Sequence, residues 1–286
     1  MPAFEPFRDL IIEHGGVLDA AVVAATAKHL RAHGATILRG GPQVTMADFE
    51  QLTSQVGTDF IAYDFADRED LDAADKTLRT VTLGQHEIPV HSEFSDVPCR
   101  PEIGCLFCIE PSERGGESTL CDGVAVLAAV SEATRRTLKE RRLLYVRLRD
   151  RSRAEQEVIT AGKMRTIASE FKKPVLGTFD IKPPDDPVLY TYAVPAIVPG
   201  LNGADALCTH ICRVLIDPRR KVMFEDGSPL GDSMTKEILA AIAGHTLQIL
   251  MRPGDIMLFD NMRWMHGRLA FVGKRVMASR FGFMRA

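Results

Sequence analysis

GDIMLFDNMRWMHGRLAFVGKRVMASRFGF, residues 254–283, closes the chain with two segments of strand character, GDIMLFDN and GKRVMASRFGF, on either side of a turn region. The first is an apolar strand that runs into the polar pair Asp260-Asn261, and His266 follows just beyond that turn. Working outward, EIPVHSEF, EIGCLFCIE, LLYVRLRD, VLYTYAVPAIVPG and TLRTVTLG also read as strands. Helical spacing marks LDAAVVAATAKHLRAHG, with Gly34 as its stop, and TMADFEQLTSQVG, with Thr45 as N-cap and Gly57 as stop. It also marks VAVLAAVSEATRRTLKERR and SMTKEILAAIAGHTLQILM, the latter with Ser233 or Thr235 as cap. Helices gather near the start while strands fill the middle and end. This is not the strict alternation of a doubly wound parallel sheet, so the expected fold is mainly β, a largely antiparallel barrel or sandwich braced by helices.

With 286 residues, 45% hydrophobic and 26% charged, the chain has the composition of a globular protein able to bury a sizeable core. It reads as one domain, 1–286, with loop insertions at 58–76 and 150–187. A formal charge of -3 with scattered Lys and Arg gives no electrostatic footprint for nucleic acid or an anionic membrane, so a small-molecule partner is expected. Nothing decides between a monomer and a homo-oligomer. The N-terminal MPAFEPFRDLIIEHGG lacks the basic start and unbroken apolar core of a signal peptide, which makes the cytoplasm the expected location. Six sparse cysteines point to reduced thiols. Cys105/Cys108 and Cys208/Cys212 have the spacing of zinc half-sites, but IGCLFCIE is strand-like and would send Cys105 and Cys108 to opposite faces.

No phosphate-binding loop, nucleophile elbow, dinucleotide fingerprint or zinc-protease helix is present. The chemistry must lie elsewhere. In PVHSEFSD, residues 89–96, His91 and Glu93 stand two apart at a strand end, where alternation would aim both at one point. A third ligand would have to come from a distant strand, and His266, beyond the Asp260-Asn261 turn, has the best approach to a barrel mouth. Two imidazoles and one carboxylate, with the remaining positions open, form the facial triad of non-haem Fe(II) oxygenases. Such an iron must hold a bidentate co-substrate and still bind dioxygen. A dicarboxylate such as 2-oxoglutarate then needs a cation for its far end, and Arg275 and Arg280 both follow His266. In a regular strand these two arginines face opposite ways.

HSE, GGEST with its following DG, GDIMLFDN, HGR and RVMASR stand in the order and approximate spacing of the taurine dioxygenase and clavaminate synthase-like family of Fe(II)/2-oxoglutarate oxygenases. GGESTLCDG also resembles the gamma-butyrobetaine hydroxylase branch. The resemblance spans roughly residues 30 to 286 and implies a distorted double-stranded β-helix of the jelly-roll or cupin type. It implies iron held by His91, Glu93 and His266, and 2-oxoglutarate anchored by Arg275 or Arg280 with a hydroxyl from Ser118 or Thr119. RVM matches the usual arginine followed by two apolar residues, which favours Arg275. Halogenating relatives carry a small residue in place of the carboxylate; Glu93 therefore implies hydroxylation or a related oxidation, with release of succinate and CO2.

The same two histidines and glutamate also suit a zinc hydrolase with one open position, and a ligand-binding barrel without catalysis is a third reading. The zinc hydrolase leaves the basic strand after His266 without a role, and metal-dependent affinity for 2-oxoglutarate would separate the binding barrel from an oxygenase. The resemblance leans towards a small amino-acid-like metabolite or biosynthetic intermediate, with a carboxylate held by Arg280 or Arg268. The acidic residues Asp59, Asp64, Asp67, Glu69 and Asp70 offer a counterpart for a cationic amine, or simply a solvated loop.

Overall fold

A computed structural model describes residues 7–62, 68–72, 74–96, 99–149, 176–182 and 188–285. The principal strands are β1 (Ile11–Glu13), β2 (Ala35–Arg39), β3 (Ile88–His91), β4 (Ile103–Glu110), β5 (Ser118–Asp122), β6 (Leu143–Arg149), β7 (Thr178–Lys182) and β8 (Val188–Val194). They continue as β9 (Arg220–Phe224), β10 (Thr246–Ile249), β11 (Ile256–Asp260), β12 (Trp264–Arg268) and β13 (Val276–Met284). The helices are α1 (Ala20–His33), α2 (Met46–Val56), α3 (Gly123–Ala129), α4 (Glu132–Glu140), α5 (Ile211–Leu215) and α6 (Asp232–Gly244).

The major sheet runs β1-β2-β11-β4-β13, with the short strands Gly57–Thr58 and Arg79–Thr80 both pairing to β13. Its pairs are antiparallel except β1 with β2. The minor sheet, β10-β5-β12-β3, is antiparallel throughout. A third sheet, β7-β8-β6-β9, is formed largely by chain between β5 and β10. Two facing antiparallel sheets of this kind make the double-stranded β-helix core.

Strand alternation explains why the major sheet reads as continuous apolar runs. In β11, Met257 and Phe259 join the inner core while Ile256 and Leu258 join the outer one. In β4, Leu106 and Cys108 face inward while Ile103, Cys105 and Phe107 face outward. A sheet buried on both faces has no polar side to reveal its period. The outer face is covered by α1 and α2 through Leu30, Phe49, Leu52 and Val56. Each fully buried side chain of this kind contributes about 1.5–3 kcal/mol.

Local signals set several boundaries. Asp19 caps α1 by accepting from Val22 N, and Gly34 ends it at φ 75°, where a side chain would be strained. Thr45 caps α2 in a full capping box with Asp48. Four expectations need correction. SMTKEILAAIAGHTLQILM is a helix only to Gly244, and Thr246–Ile249 leaves it to pair with β5. Its N-cap is Gly231, not Ser233 or Thr235. VAVLAAVSEATRRTLKERR breaks at Val130-Ser131, where Ser131 caps α4. TLRTVTLG contributes only Arg79–Thr80 as strand.

The insertions also have some structure. Most of 150–187 lies outside the described residues, but β7 falls within it and pairs with β8. In 58–76, Asp64 and Asp67 lie outside the described residues, while Asp70 is ion-paired to Lys76 and Arg79. No helix among the described residues is long and apolar enough to cross a membrane.

Candidate metal centre

β3 ends at His91, and its pairing with β12 places His91 directly opposite His266. Partners in register share a face of the sheet, so both imidazoles enter the space between the sheets, with ring centroids 4.5 Å apart. Glu93 does not arrive by alternation, because the strand has already ended. A turn brings it back, with Phe94 at φ 57° and Ser95 N donating to Ser92 O at 3.1 Å. Asn261 holds the Glu93 peptide in place from both ends. Glu93 N donates to Asn261 Oδ1 at 2.7 Å, while Asn261 Nδ2 donates to Glu93 O at 2.9 Å and Pro101 O at 3.0 Å.

Glu93 Oε2 thereby lies 3.4 Å from His91 Nε2 and 3.6 Å from His266 Nε2. One donor atom from each residue lies within 4.8 Å of the others, the only such group of three among the described residues. All three side chains are buried. Glu93 Oε2 has no hydrogen-bond partner, a costly state for a buried carboxylate oxygen unless a cation takes its lone pairs. The donor set fits Fe(II): two imidazole nitrogens and one carboxylate oxygen, with further positions left open. His91 Nδ1 lies 2.9 Å from Pro89 O, which accepts its proton and leaves the Nε2 lone pair for a metal.

Burial lowers the pKa of His91, with the charge of Arg213 acting in the same direction. Burial and the neighbouring His91 put His266 well below the ordinary histidine value. Both imidazoles are therefore neutral at pH 7, the form that can ligate a metal. For Glu93, burial alone would raise the pKa, but the adjacent His91 and the Arg68 guanidinium outweigh it and hold the carboxyl well below its usual range.

Phe259 and Phe281 pack on His266 with centroids at 4.8 and 5.8 Å. Both rings lean on Gly104 of β4, where any Cβ would sit 2.3 Å from Phe259 and 2.8 Å from Phe281.

Ser118 stands opposite Arg268 on β12 and shares the face of His266 two positions away, whereas Thr119, opposite Gly267, takes the other face. Arg275 Nη2 donates to Ser118 Oγ at 3.1 Å. Burial brings the Arg275 pKa down to about 10, so it remains a cation at neutral pH. Arg280 lies on the outer side of β13, opposite Cys105. There it donates to Thr77 Oγ1, Thr53 Oγ1, Ser54 Oγ and Asp75 Oδ2, and its guanidinium lies 3.9 Å from the Phe60 ring centroid. Arg268 donates to the carbonyls of Thr82, Gly84 and His86.

Three further residues border the centre that no motif announced. Arg213 of α5 donates from Nη1 to His91 Nε2 at 3.3 Å. Arg68 places Nη2 3.7 Å from Glu93 Oε1. His210 sets its buried ring edge-on to His91 at 5.1 Å, with Nδ1 3.4 Å from Ser95 Oγ and Nε2 without a partner. Among the described residues neither cysteine pair belongs to a group that could hold a metal: Cys105 and Cys108 sit on opposite faces of β4, and burial pushes both thiols up to about 12.

The model of the taurine catabolism dioxygenase TauD, TfdA family matches residues 5–280. The chain belongs to this TauD/TfdA family. A clavaminate synthase-like protein of Arabidopsis thaliana is 25% identical over 287 residues, covering 87% of this chain and 82% of that protein. A taurine dioxygenase structure from Burkholderia xenovorans aligns with a TM-score of 0.63 at 14% identity, over 96% of this chain and 86% of that one. PvcB from Pseudomonas aeruginosa aligns at 0.57 and 14%, over 96% and 84%. Another PvcB structure, described as an Fe, alpha-ketoglutarate dependent oxygenase from an isonitrile synthetic pathway, aligns at 0.57 and 13%. These structural likenesses bear on the fold: the sheets of this TauD/TfdA chain are those of its family. Fe(II), 2-oxoglutarate and dioxygen are the cofactors that go with it.

Proposed function

We propose that this chain is an Fe(II)- and 2-oxoglutarate-dependent dioxygenase that hydroxylates an unactivated C–H bond of a small amino-acid-like metabolite or biosynthetic intermediate. The observation that carries the reading is the buried His91–Glu93–His266 group, with a carboxylate oxygen that has no other partner. His91 Nε2, His266 Nε2 and Glu93 would hold the metal. When bound, it supplies the coupling of 2-oxoglutarate decarboxylation to substrate oxidation, leaving succinate and CO2. The chain's own part is to position and exclude. Arg275, with Ser118 beside it, is the cation for the far carboxylate of 2-oxoglutarate, because it is half-buried and on the side of the sheet that carries His266. Arg280 is engaged on the far side of the major sheet. Glu93, occupying the third position, leaves no vacancy for a halide, which favours hydroxylation.

The test is succinate formation with Fe(II) under air across a panel of amino acids and their derivatives, in wild type and in His91→Ala. Substrate-dependent succinate in wild type alone supports the reading, and equal turnover in both overturns it. Arg275→Gln separates the anchor from the metal. Loss of a charge-assisted bond of about 1.5–3 kcal/mol weakens 2-oxoglutarate about 10- to 150-fold by titration while metal affinity holds.

A further inference from the structure

His210 borders the centre without belonging to it. The residue immediately precedes α5 and is 4% exposed, and its ring stands edge-on to His91 at 5.1 Å. The ligand group beside it comprises His91, Glu93 and His266 alone. Its backbone is fixed from two directions. His210 N donates to Tyr145 Oη at 3.1 Å, and Ser92 N, between the two ligands of β3 and its turn, donates to Thr209 O at 3.2 Å. Tyr145 Oη lies 2.9 Å from Thr209 Oγ1, and burial raises the Tyr145 pKa to about 12, so it stays a neutral hydroxyl. The imidazole is thus held in place before anything binds, as a recognition group needs to be.

One ring nitrogen has a partner and the other has none. Nδ1 lies 3.4 Å from Ser95 Oγ, and it is that buried hydroxyl's only partner among the described residues. Nε2 is buried with no partner. Burial, with the neighbouring charges acting the same way, holds His210 well below the ordinary histidine pKa, so the ring is neutral at pH 7. A neutral imidazole carries one proton, on Nδ1 or on Nε2. The ring proton and the Ser95 hydroxyl proton therefore compete for the single Nδ1–Oγ bond, and one of them goes unused in either tautomer. A group brought to Nε2 resolves this only if it accepts. Ser95 Oγ then donates to Nδ1, Nε2–H donates to the arriving group, and no buried donor is stranded. An arriving donor would force the proton onto Nδ1 and leave the hydroxyl proton unpaired, a costly state when buried.

The co-substrate does not occupy this side. Its proposed anchor, Arg275 with Ser118, lies by β5 on one flank of β12, whereas β3 lies on the other flank and α5 packs against β3. We propose that His210 is a substrate-recognition residue whose Nε2–H donates to an oxygen acceptor, a carbonyl or carboxylate oxygen, on the molecule to be oxidised. This rests on the oxygenase reading above and adds one requirement to the substrate class: an acceptor oxygen on the His91 side of the centre. The contact is selective, because a molecule that presents only a donor or a methyl group there leaves a buried N–H unpaired.

The first test uses the full chain, isotopically labelled at its histidine nitrogens and loaded with Zn(II) and saturating 2-oxoglutarate. It is titrated with acetate, an acceptor, or methylammonium, a donor only, with His210→Gln identifying the His210 signals. Long-range proton–nitrogen correlation should show a saturable response to acetate, with the proton on Nε2 at saturation, and none to methylammonium. No saturable response to acetate, a proton on Nδ1, or an equal response to methylammonium overturns the proposal. The second test takes the amino-acid panel member with the fastest succinate formation. His210→Phe, which keeps a ring and removes the donor, should raise its KM at least about fivefold. His210→Gln, whose amide offers an N–H close to the place of Nε2, should stay within about threefold of wild type, and 2-oxoglutarate affinity should move less than about threefold in both. An unchanged KM in His210→Phe overturns the proposal. Equal losses in both variants overturn it too, since packing and not the donor would be the cause. Absence of succinate from every panel member counts against the oxygenase reading instead, and the acetate titration of the Zn(II) form alone still decides the role of His210.

Discussion

Asn261 shows how much of the centre depends on a residue that binds no metal. Its side chain is fully buried and joins three backbone groups: Glu93 N, Glu93 O and Pro101 O. Truncation to alanine would leave a buried N–H and two carbonyls unpaired, at about 1–3 kcal/mol for each group left without a partner. Asn261→Ala should therefore lower the midpoint of chemical denaturation and weaken Co(II) binding about 10- to 100-fold, the usual cost of losing support behind a ligand. Metal affinity unchanged in a correctly folded variant would show that the turn holds Glu93 unaided. The same residue marks the limit of reading by motif. Asp260-Asn261 was legible as a polar turn, and His91, Glu93 and His266 as a candidate ligand group, because their types and order carry the chemistry. That the turn grips Glu93 across 168 residues of separation was not legible, since only the pairing of β3 with β12 and of β11 with β4 brings them together.

Helix α2 illustrates what local chemistry does decide. Thr45 Oγ1 accepts from Asp48 N at 3.2 Å, and Asp48 Oδ2 accepts from Thr45 N at 2.8 Å. Thr45→Ala should cost about 1 kcal/mol by urea denaturation at pH 7. Bonds from Thr45 lower the Asp48 pKa in the folded chain. A carboxyl with a depressed folded pKa favours folding above its unfolded pKa of about 4 and loses that contribution as pH falls through the folded value. The gap between wild type and Thr45→Ala should thus narrow below about pH 4, and a gap that widens there would contradict the assignment. Helix α6 is the opposite case. Its apolar period runs on through His245 into Leu247 and Ile249, so nothing local separates helix from strand. Pairing of Thr246–Ile249 with Cys121–Ser118 supplies the missing term, and it lies more than a hundred residues away. Arg68, Arg213 and His210 escaped notice for the same reason, since each reaches the centre through tertiary placement.

At the scale of the molecule, the centre is a set of charges enclosed by two sheets. Without metal, Arg213 and Arg68 lean on His91 and Glu93. A divalent cation would break the first of these contacts and add two positive charges, which a dianionic co-substrate would offset, with Arg275 the proposed partner of its far end. Metal and 2-oxoglutarate should therefore bind with positive coupling, each raising affinity for the other by the same factor. A ligand at one hundred times its dissociation constant stabilises the folded chain by about 2.7 kcal/mol, and each kcal/mol moves the melting midpoint of a chain near this size by about 2–4 °C. Thermal melts with Co(II), with 2-oxoglutarate and with both, at fixed concentrations, give the coupling directly. The joint shift should exceed the sum of the separate ones, and His91→Ala should reduce it to the small effect of 2-oxoglutarate alone. Additive shifts in wild type would mean that metal and co-substrate occupy electrostatically independent places, and the enclosed charge balance would then have to be met by groups other than Arg213, Arg68 and Arg275.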